Sequence, residues 1–240
     1  MAIAYVQSNK SFTGNSTSSA TPFLSNNTAG NFLVAAAIGF GTVTISSIAD
    51  TLGNNWSLVS QQTLADGTIY YLYAVTNCKG GANTVTITLE SSNQPMLLVA
   101  EYSGISLTSP LDQLAASTEG ASGSYTSGSV TTTVANELLI GVLKCTGGVA
   151  ATIVPAAGWT ERQQERSATV PDIVLLDNIV SSIGTYANSG TFSTSVPDNG
   201  ALIATFKAQA SAPSGGPGTG LPPFGWVNTQ GDHYNKRGLR

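Results

Sequence analysis

The sequence predicts an all-β fold, an antiparallel β-sandwich built from two similar halves, with almost no helix. Charged residues make up 9% of the 240 residues and hydrophobic residues make up 41%. Since soluble domains carry about 25% charged residues, Ser, Thr, Asn and Gly here replace the missing charge. Thr, Val, Ile and Tyr recur between Gly and Asn, which is the composition of short strands and tight turns. A similar series of segments also occurs twice along the chain.

The predicted strands follow one another at the spacing of about 8 to 12 residues that is typical of sandwiches and barrels. Alternation in 84–89 places Val85, Ile87 and Leu89 on one face and threonines on the other. The apolar runs 32–38 and 138–143 are predicted to be central strands covered on both faces. The full set of predicted strands is 2–8, 19–24, 31–39, 42–49, 55–62, 68–75, 83–89, 96–103, 128–134, 137–145, 158–166, 172–179, 190–196 and 201–208.

The internal repeat relates two halves of the chain at an offset of about 103 to 107 residues. Residues 31–34 match 136–139, and the segment around Trp56 matches the segment around Trp159. A repeat of this length indicates two β halves of similar topology rather than a solenoid. The halves are predicted at about 1–105 and 106–210. Further matches are 69–73 with 173–176, 84–86 with 191–193, and 96–102 with 201–207.

These repeated segments resemble the duplicated Ig-like or jelly-roll β-sandwich modules of phage structural proteins and large bacterial surface proteins. The resemblance is carried by residues 30–34, by the tryptophan-containing turns 54–56 and 158–160, and by 101–105 followed by 109–112. It covers about residues 1–208. It implies an Ig-like or jelly-roll sandwich without enzymatic activity, and it names no ligand.

The C-terminal segment differs in composition from the rest of the chain. Residues 211–223 are a Gly/Pro linker that cannot form a regular strand ladder, so the sandwich is predicted to end at about residue 210. Residues 224–240 are predicted to be an irregular docking arm, because aromatic and basic side chains are typical of binding hot spots. The predicted partner-binding residues are Phe224, Trp226, Tyr234, Lys236, Arg237 and Arg240.

The charge distribution disfavours nucleic acid and membrane as partners. The net charge is −4, and positions 1–210 hold six basic and twelve acidic residues. An acidic surface does not attract phosphate backbones, and the chain has no basic amphipathic helix that could lie on a membrane. Residues 1–6 do not start a signal peptide, and no apolar run approaches the ~20 residues of a membrane span.

The chain is therefore expected to be made in a cytoplasm, although its Ser/Thr/Asn-rich composition is typical of proteins that work outside cells. A virion protein released by lysis satisfies both observations. The alternative is an extracellular or cell-surface protein that has lost its signal peptide.

Residues suited to catalysis are sparse. The single histidine, His233, lies in the predicted arm, which excludes Ser-His-Asp and Cys-His catalysis from the sandwich. Glu101 and Asp112 are the best-placed carboxylates for glycosidase chemistry, but roles in a strand and a turn are favoured, so no catalytic residue is predicted. Cys78 and Cys145 form no CxxC pair and are predicted to be free, buried thiols, with a disulfide as the alternative.

Two groups of turn oxygens could in principle hold calcium. They are Asp50 with Asn54 and Asn55, and Asp198 with Asn199. Neither group has the spacing of an EF-hand, and Asp and Asn are ordinary residues of β-turns. No metal and no other cofactor is therefore predicted.

Two sets of aromatic residues could bind sugars by stacking. Trp56 and Trp159 recur in both halves, which favours equivalent core positions over a binding role. Tyr70, Tyr71 and Tyr73 alternate along one strand, so one side of that strand could be exposed. A glycan-binding surface on this strand stays open.

These observations predict a non-catalytic structural protein of a virus particle, either a capsid decoration or a tail component. It would assemble through its arm with other copies of itself or with another virion protein. The alternative is a secreted or cell-surface module for carbohydrate binding or adhesion, whose partner would be a surface glycan. That alternative requires an exposed aromatic strip and a shallow groove.

Overall fold

A computed structural model describes residues 2–146, 151–166 and 172–210. Residues 1–210 form one compact unit. The described residues contain strands β1 to β18 and no helix, so this part of the chain offers no helix that could cross a membrane. The predicted all-β class is confirmed.

The first half forms two antiparallel sheets from eight strands. A five-stranded sheet has the order β1-β8-β3-β6-β5, and a three-stranded sheet has the order β2-β7-β4. The strands are β1 (Ala4–Phe12), β2 (Ser16–Pro22), β3 (Phe32–Gly39), β4 (Ile45–Asp50), β5 (Ser57–Thr63), β6 (Ile69–Val75), β7 (Thr84–Asn93) and β8 (Met96–Ser103).

The second half repeats this arrangement, with the orders β9-β18-β12-β15-β14 and β10-β17-β13. A short ribbon of β11 and β16 is added to it. Because the two strand orders correspond position by position, the predicted pair of similar halves is confirmed. The strands are β9 (Leu111–Glu119), β10 (Ser122–Thr126), β11 (Val130–Thr131), β12 (Glu137–Thr146), β13 (Ile153–Pro155), β14 (Thr160–Glu165), β15 (Asp172–Val180), β16 (Thr185–Tyr186), β17 (Ser189–Val196) and β18 (Asp198–Lys207).

Each half is an antiparallel β-sandwich with the strand order of a jelly roll. The orders β1-β8-β3-β6 and β2-β7-β4 are those of a chain that wraps as two Greek keys. The strand that would complete the smaller sheet, β5, pairs instead with β6 at the edge of the larger sheet. Strand β14 makes the equivalent pairing with β15 in the second half.

The two five-stranded sheets face each other across the main core. This core joins inward-facing residues of both halves, among them Phe32, Leu72, Leu138 and Leu202. The outer face of each large sheet packs against its own small sheet, around Val85 and Ile87 in the first half and around Phe192 in the second. Since β3 and β12 lie at the centre of these layers, their apolar runs are buried on both faces, as predicted.

The structure also corrects several local predictions. Strands β9, β10, β13 and β16 were not predicted, and the predicted strand 128–134 contains only Val130–Thr131. The repeat is shifted by one residue in β3 and β8, because the paired residues Phe32 and Tyr102 face the main core, as do the paired residues Leu138 and Phe206. Gly30 is thus equivalent to Asn136, and both have positive φ, at 90° and 61°. Gly and Asn are the residues that adopt this left-handed conformation most readily.

Trp56 and Trp159 occupy equivalent places, each immediately before the edge strand of a large sheet. Trp56 packs on the outer core of the first half and Trp159 on that of the second. Both indoles are only partly buried. The prediction that the two tryptophans are equivalent is confirmed, and the prediction that they are buried is wrong. The reason is that each ring keeps its NH group at a loop, where Trp56 donates to Asp50 and Trp159 to the carbonyl of Ala187, at 3.0 and 2.9 Å.

Candidate functional site at the seams between the halves

Two seams run along the edges of the facing five-stranded sheets. At one seam β1 lies beside β14, and at the other β9 lies beside β5. Because β9 corresponds to β1 and β14 to β5, the two seams are built from equivalent strands. Their side chains nevertheless differ in chemistry.

The first seam, which we call the polar seam, contains Tyr5, Tyr102, Arg162 and Asp177. The Arg162 Nε donates to Asp177 Oδ2 at 2.8 Å, and the Asp177 side chain is only 2% exposed. The guanidinium carbon lies 4.0 Å from the centroid of the Tyr5 ring, in cation–π geometry. Tyr5 meets Tyr102 edge-on, with 5.8 Å between ring centroids. The seam is filled by a planar cation held between an aromatic ring and a buried carboxylate.

The charges of the polar seam are stabilised by one another. Burial acts against the charge of Arg162, but the bond to Asp177 keeps the pKa of Arg162 above its usual value. Burial, followed by the nearby Asp177 carboxylate, raises the pKa of Tyr102 well above its usual value. Both effects hold the ion pair intact and the tyrosine neutral at physiological pH.

Hydrogen bonds continue the polar seam along the two edge strands. The Ser8 hydroxyl donates to the carbonyl of Arg162 at 3.2 Å and accepts from the Gln163 amide at 3.0 Å. Lys10 pairs with Glu165 at 3.1 Å. The first seam is therefore closed over several residues of β1 and β14.

The second seam carries apolar residues at the positions equivalent to those of the polar seam. Leu111 pairs with Phe206 as Tyr5 pairs with Tyr102. Val59 lies at the bulge of β5, which is equivalent to the position of Arg162 at the bulge of β14. Ala74 is opposite Ser57 as Asp177 is opposite Thr160. All four polar-seam side chains are thus replaced by apolar ones, namely Leu111, Phe206, Val59 and Ala74.

This replacement leaves an open cleft of about 400 Å³ at the second seam, which we call the seam cleft. Phe32 and Phe206 form its aromatic wall, with ring centroids 4.7 Å apart. Leu58 and Leu111 stand at its mouth and are 51% and 41% exposed. No ionisable side chain is among the described residues that line it. The lining is Phe32, Asn55, Ser57, Leu58, Val59, Ala74, Thr76, Pro110, Leu111 and Phe206.

Glu101 is fully buried and saturated with hydrogen bonds. It accepts from Gln7 Nε2 at 2.6 Å, Asn27 Nδ2 at 2.7 Å, the Thr28 backbone at 2.9 Å and Asn31 Nδ2 at 2.6 Å. The carboxylate fastens the loop between β2 and β3 to β1 and β8. This is a structural use of an acid, because all the donors belong to the first half of the chain itself.

Asp112, the other carboxylate considered for glycosidase chemistry, lies in the second half and does not meet Glu101. Its oxygens accept from the backbone NH and the hydroxyl of Thr133, at 2.7 and 2.5 Å. Its carboxyl neighbour is instead Glu137, which is fully buried. Burial raises the pKa of Glu137; the Thr205 hydroxyl opposes this and the Asp112 carboxyl adds to it.

The buried glutamates Glu101 and Glu137 lie at corresponding places in the two halves but on different strands, β8 and β12. Glu101 on β8 corresponds to Thr205 on β18, since they lie opposite Leu33 and Leu139. Asn31, which donates to Glu101, corresponds to Glu137, which neighbours Thr205. Each half therefore keeps one acid and one neutral hydrogen-bonding side chain at this place.

Glu137→Gln is expected to leave the unfolding free energy within about 1 kcal/mol of wild type at pH 4, and to become more stable relative to wild type as pH rises towards 8. With its pKa raised above 4.5, folded Glu137 keeps a proton that the unfolded chain releases. Wild type therefore loses stability as pH rises through the folded pKa, and glutamine removes this loss. Urea titrations at both pH values measure it, with exposed Glu90→Gln as control. A difference independent of pH would contradict the assignment.

Lys144 is fully buried and bridges the two halves at the far end of the large sheets. Its Nζ donates to Asp66 Oδ2 at 2.8 Å and to the Thr146 hydroxyl at 2.6 Å. The Asp66 backbone donates to Asp198 at 3.1 Å. The ion pair lets the turn before β6 fasten to β12 and β18.

Of the oxygen groups considered for calcium, the Asp50 carboxylate is engaged within the protein. Asp50 accepts from the backbone of Asn54 at 2.9 Å, from the Trp56 indole at 3.0 Å and from Asn83 at 3.1 Å. These bonds outweigh burial and lower the pKa of Asp50. Asp198 and Asn199 belong to β18 rather than to a turn, because the strand begins three residues earlier than predicted, at Asp198. Both are buried within the sheet.

The tyrosines of β6 do not form an exposed strip. Tyr70, Tyr71 and Tyr73 are 0%, 3% and 8% exposed, because β6 lies inside the large sheet and is covered on both faces. The sugar-stacking surface left open by the sequence therefore does not lie on this strand.

The cysteines are free and buried, as predicted, and they lie in the outer cores of different halves. Burial raises the pKa of Cys78 to about 11 and that of Cys145 to about 12. Both thiols are consequently poor nucleophiles at neutral pH. The predicted partner-binding residues Phe224, Trp226, Tyr234, Lys236, Arg237 and Arg240 lie outside the described residues.

Sequence reasoning missed the seams, since their residues are far apart in the chain. The available signal was the repeat itself, which pairs Val59 with Arg162 and Ala74 with Asp177. Comparison of the chain with known protein families, with curated proteins and with solved structures finds no match.

Proposed function

We propose that the protein is a non-catalytic structural component of a virus particle, a capsid decoration or a tail component, that assembles through its C-terminal arm. The observation that carries this proposal is the seam cleft, an open and mainly apolar surface at the edge between the two five-stranded sheets. Leu58 and Leu111 are exposed at its mouth, and no ionisable side chain is present in its described lining. Such a surface is suited to contact with another protein.

The buried charged groups of the sandwich support a structural role. Glu101 fastens a loop, Lys144 joins the two halves, and Asp177 holds Arg162 in the polar seam. Each of these groups has its partners within the protein. They stabilise the arrangement of strands and place no reactive group at the seam cleft.

The fold agrees with this class of function by analogy. Jelly rolls serve in viral capsids and in lectins, and a fold alone does not decide between them. Burial of the β6 tyrosines removes the aromatic strip that a glycan-binding module was expected to use. The structural role is therefore the better supported of the two.

The C-terminal arm supplies the second part of the proposal. Phe224, Trp226 and Tyr234 are aromatic anchors, and Lys236 and Arg237 carry positive charge. Positions 1–210 hold twelve acidic against six basic residues, so the arm is electrostatically suited to another copy of this protein. Another acidic virion protein would offer the same complementarity.

Truncation after Ala210 is expected to abolish self-association or particle attachment while leaving the sandwich folded. The strands and cores of the described structure all lie within 1–210, so the melting temperature should change by no more than about 2 °C. Sedimentation velocity over a concentration series measures association, and Thr229→Ala in the full chain is the matched control. A truncated protein that associates and attaches like wild type would overturn the proposed function.

A further inference from the structure

The seam cleft is the counterpart of a site that is filled in the polar seam. At the polar seam, Arg162 spans the space between the sheets and lies against Tyr5. At the second seam, the equivalent residues are the shorter Val59 and Leu111, on strands with the same pairing and the same bulge. The cleft of about 400 Å³ therefore lies at the position equivalent to the one that the Arg162 guanidinium fills in the polar seam.

We propose that this cleft receives the aromatic side chains of Phe224 and Trp226 from the arm of a second copy of the protein. The proposal rests on the proposed function and adds the receiving site. A planar side chain placed there would lie against Leu111 and the Phe32–Phe206 wall. Its place against Leu111 would be equivalent to the place of the Arg162 guanidinium against Tyr5 in the polar seam.

The chemistry of the cleft selects an apolar, aromatic occupant. The described residues of the lining include no ionisable group, so a charged side chain that entered the cleft would lose its hydration without gaining a partner. Within 211–240, the aromatic residues nearest the linker are Phe224 and Trp226, and Val227 follows them. Tryptophan is also among the residues enriched at interface hot spots.

The linker 211–223 is long enough for the arm of one copy to reach the cleft of another. Phe206 lines the cleft, and the described part of the chain ends at Ala210, four positions later. The linker 211–223 spans at most about 45 Å when fully extended, so an arm can reach an adjoining copy. The basic residues Lys236, Arg237 and Arg240 are opposite in charge to the net acidic positions 1–210 of the adjoining copy.

Crosslinking between two tagged forms tests the receiving site directly. One full-length form carries Leu58→Cys at the cleft mouth, and the other carries Val227→Cys in the arm, which keeps both docking aromatic residues. Any crosslink between them joins different copies, because each chain has one introduced thiol and the native cysteines are buried. Under mild oxidation we expect a mixed dimer.

The matched control for Leu58→Cys is Glu161→Cys, its exposed equivalent at the polar seam, which should give at least tenfold less mixed dimer. Equal crosslinking of the two positions, or none at Leu58→Cys, would overturn the proposal.

Charged substitution at the cleft provides a second test in the full chain. Leu58→Arg, at an exposed position, should weaken self-association at least tenfold, whereas Leu24→Arg, at another exposed leucine, should leave it unchanged. If truncation after Ala210 abolishes association but Leu58→Arg does not, the arm binds elsewhere and only this inference fails. If truncation has no effect, the proposed function fails as well.

Discussion

Replacing Glu101 by leucine is expected to lower the unfolding free energy by about 4 kcal/mol, because several buried donors lose a charged acceptor at once. Gln7, Asn27, Asn31 and the Thr28 backbone all donate to this carboxylate at 2.6 to 2.9 Å. The side chains of Gln7, Asn27 and Asn31 are buried, so their amides would be left without a water partner. Urea unfolding followed by tryptophan fluorescence measures the loss.

Glu101→Gln serves as the matched variant. It keeps one acceptor oxygen and the side-chain volume, so it should cost about half as much as leucine. Glu90→Leu on the exposed end of β7 controls for the loss of a negative charge. A cost below about 1 kcal/mol for Glu101→Leu would show that the loop is held by its backbone bonds alone.

Asp66→Ala is expected to destabilise the protein by about 3 to 5 kcal/mol, because it leaves Lys144 buried without its counter-ion. The Lys144 side chain is 0% exposed and that of Asp66 is 30% exposed. Lys144→Met should cost much less, since it removes the buried charge and keeps the chain length. The double variant Asp66→Ala with Lys144→Met should recover most of the loss. A double-mutant cycle in urea measures this coupling, and additive single effects would contradict it.

The same ion pair predicts a pH dependence. Burial would raise the pKa of Asp66, but the hydrogen bond from Lys144 and that from the Thr68 backbone outweigh it and hold the pKa below 3.8. The stabilisation is present above this value and is lost as pH falls through the folded pKa. The difference between wild type and Asp66→Asn should therefore shrink from pH 7 to about pH 2.5.

The sequence predicted the fold where the physical signal is local. Buried central strands appear as apolar runs, and one-sided strands appear as alternation, so β3, β7 and β12 were all predicted. Strand β9 was missed because Leu111–Glu119 has little β-branched content. It is a strand because β18 pairs with it, which is a contact distant in sequence.

The candidate site was less predictable than the fold, because it depends on pairs that only the packing of two sheets creates. Tyr5 and Arg162 are residue types that often lie on the surface, and their contact joins different halves of the chain. Asp112 was singled out as one of a pair of acids, but its neighbour proved to be Glu137 rather than Glu101. Residue types alone could not choose between these partners.

The unequal seams make the two halves complementary rather than interchangeable. A chain built from two copies of the first half would place Tyr5 opposite Val59 and Tyr102 opposite Ala74 at both edges, without a guanidinium or carboxylate at either. A chain built from two second halves would set Arg162 against Leu111 twice. The protein thus resembles a dimer of identical subunits that was fused and then specialised. The strand order is the same in both halves while the side chains of the seams differ, so each half supplies residues that the other half lacks.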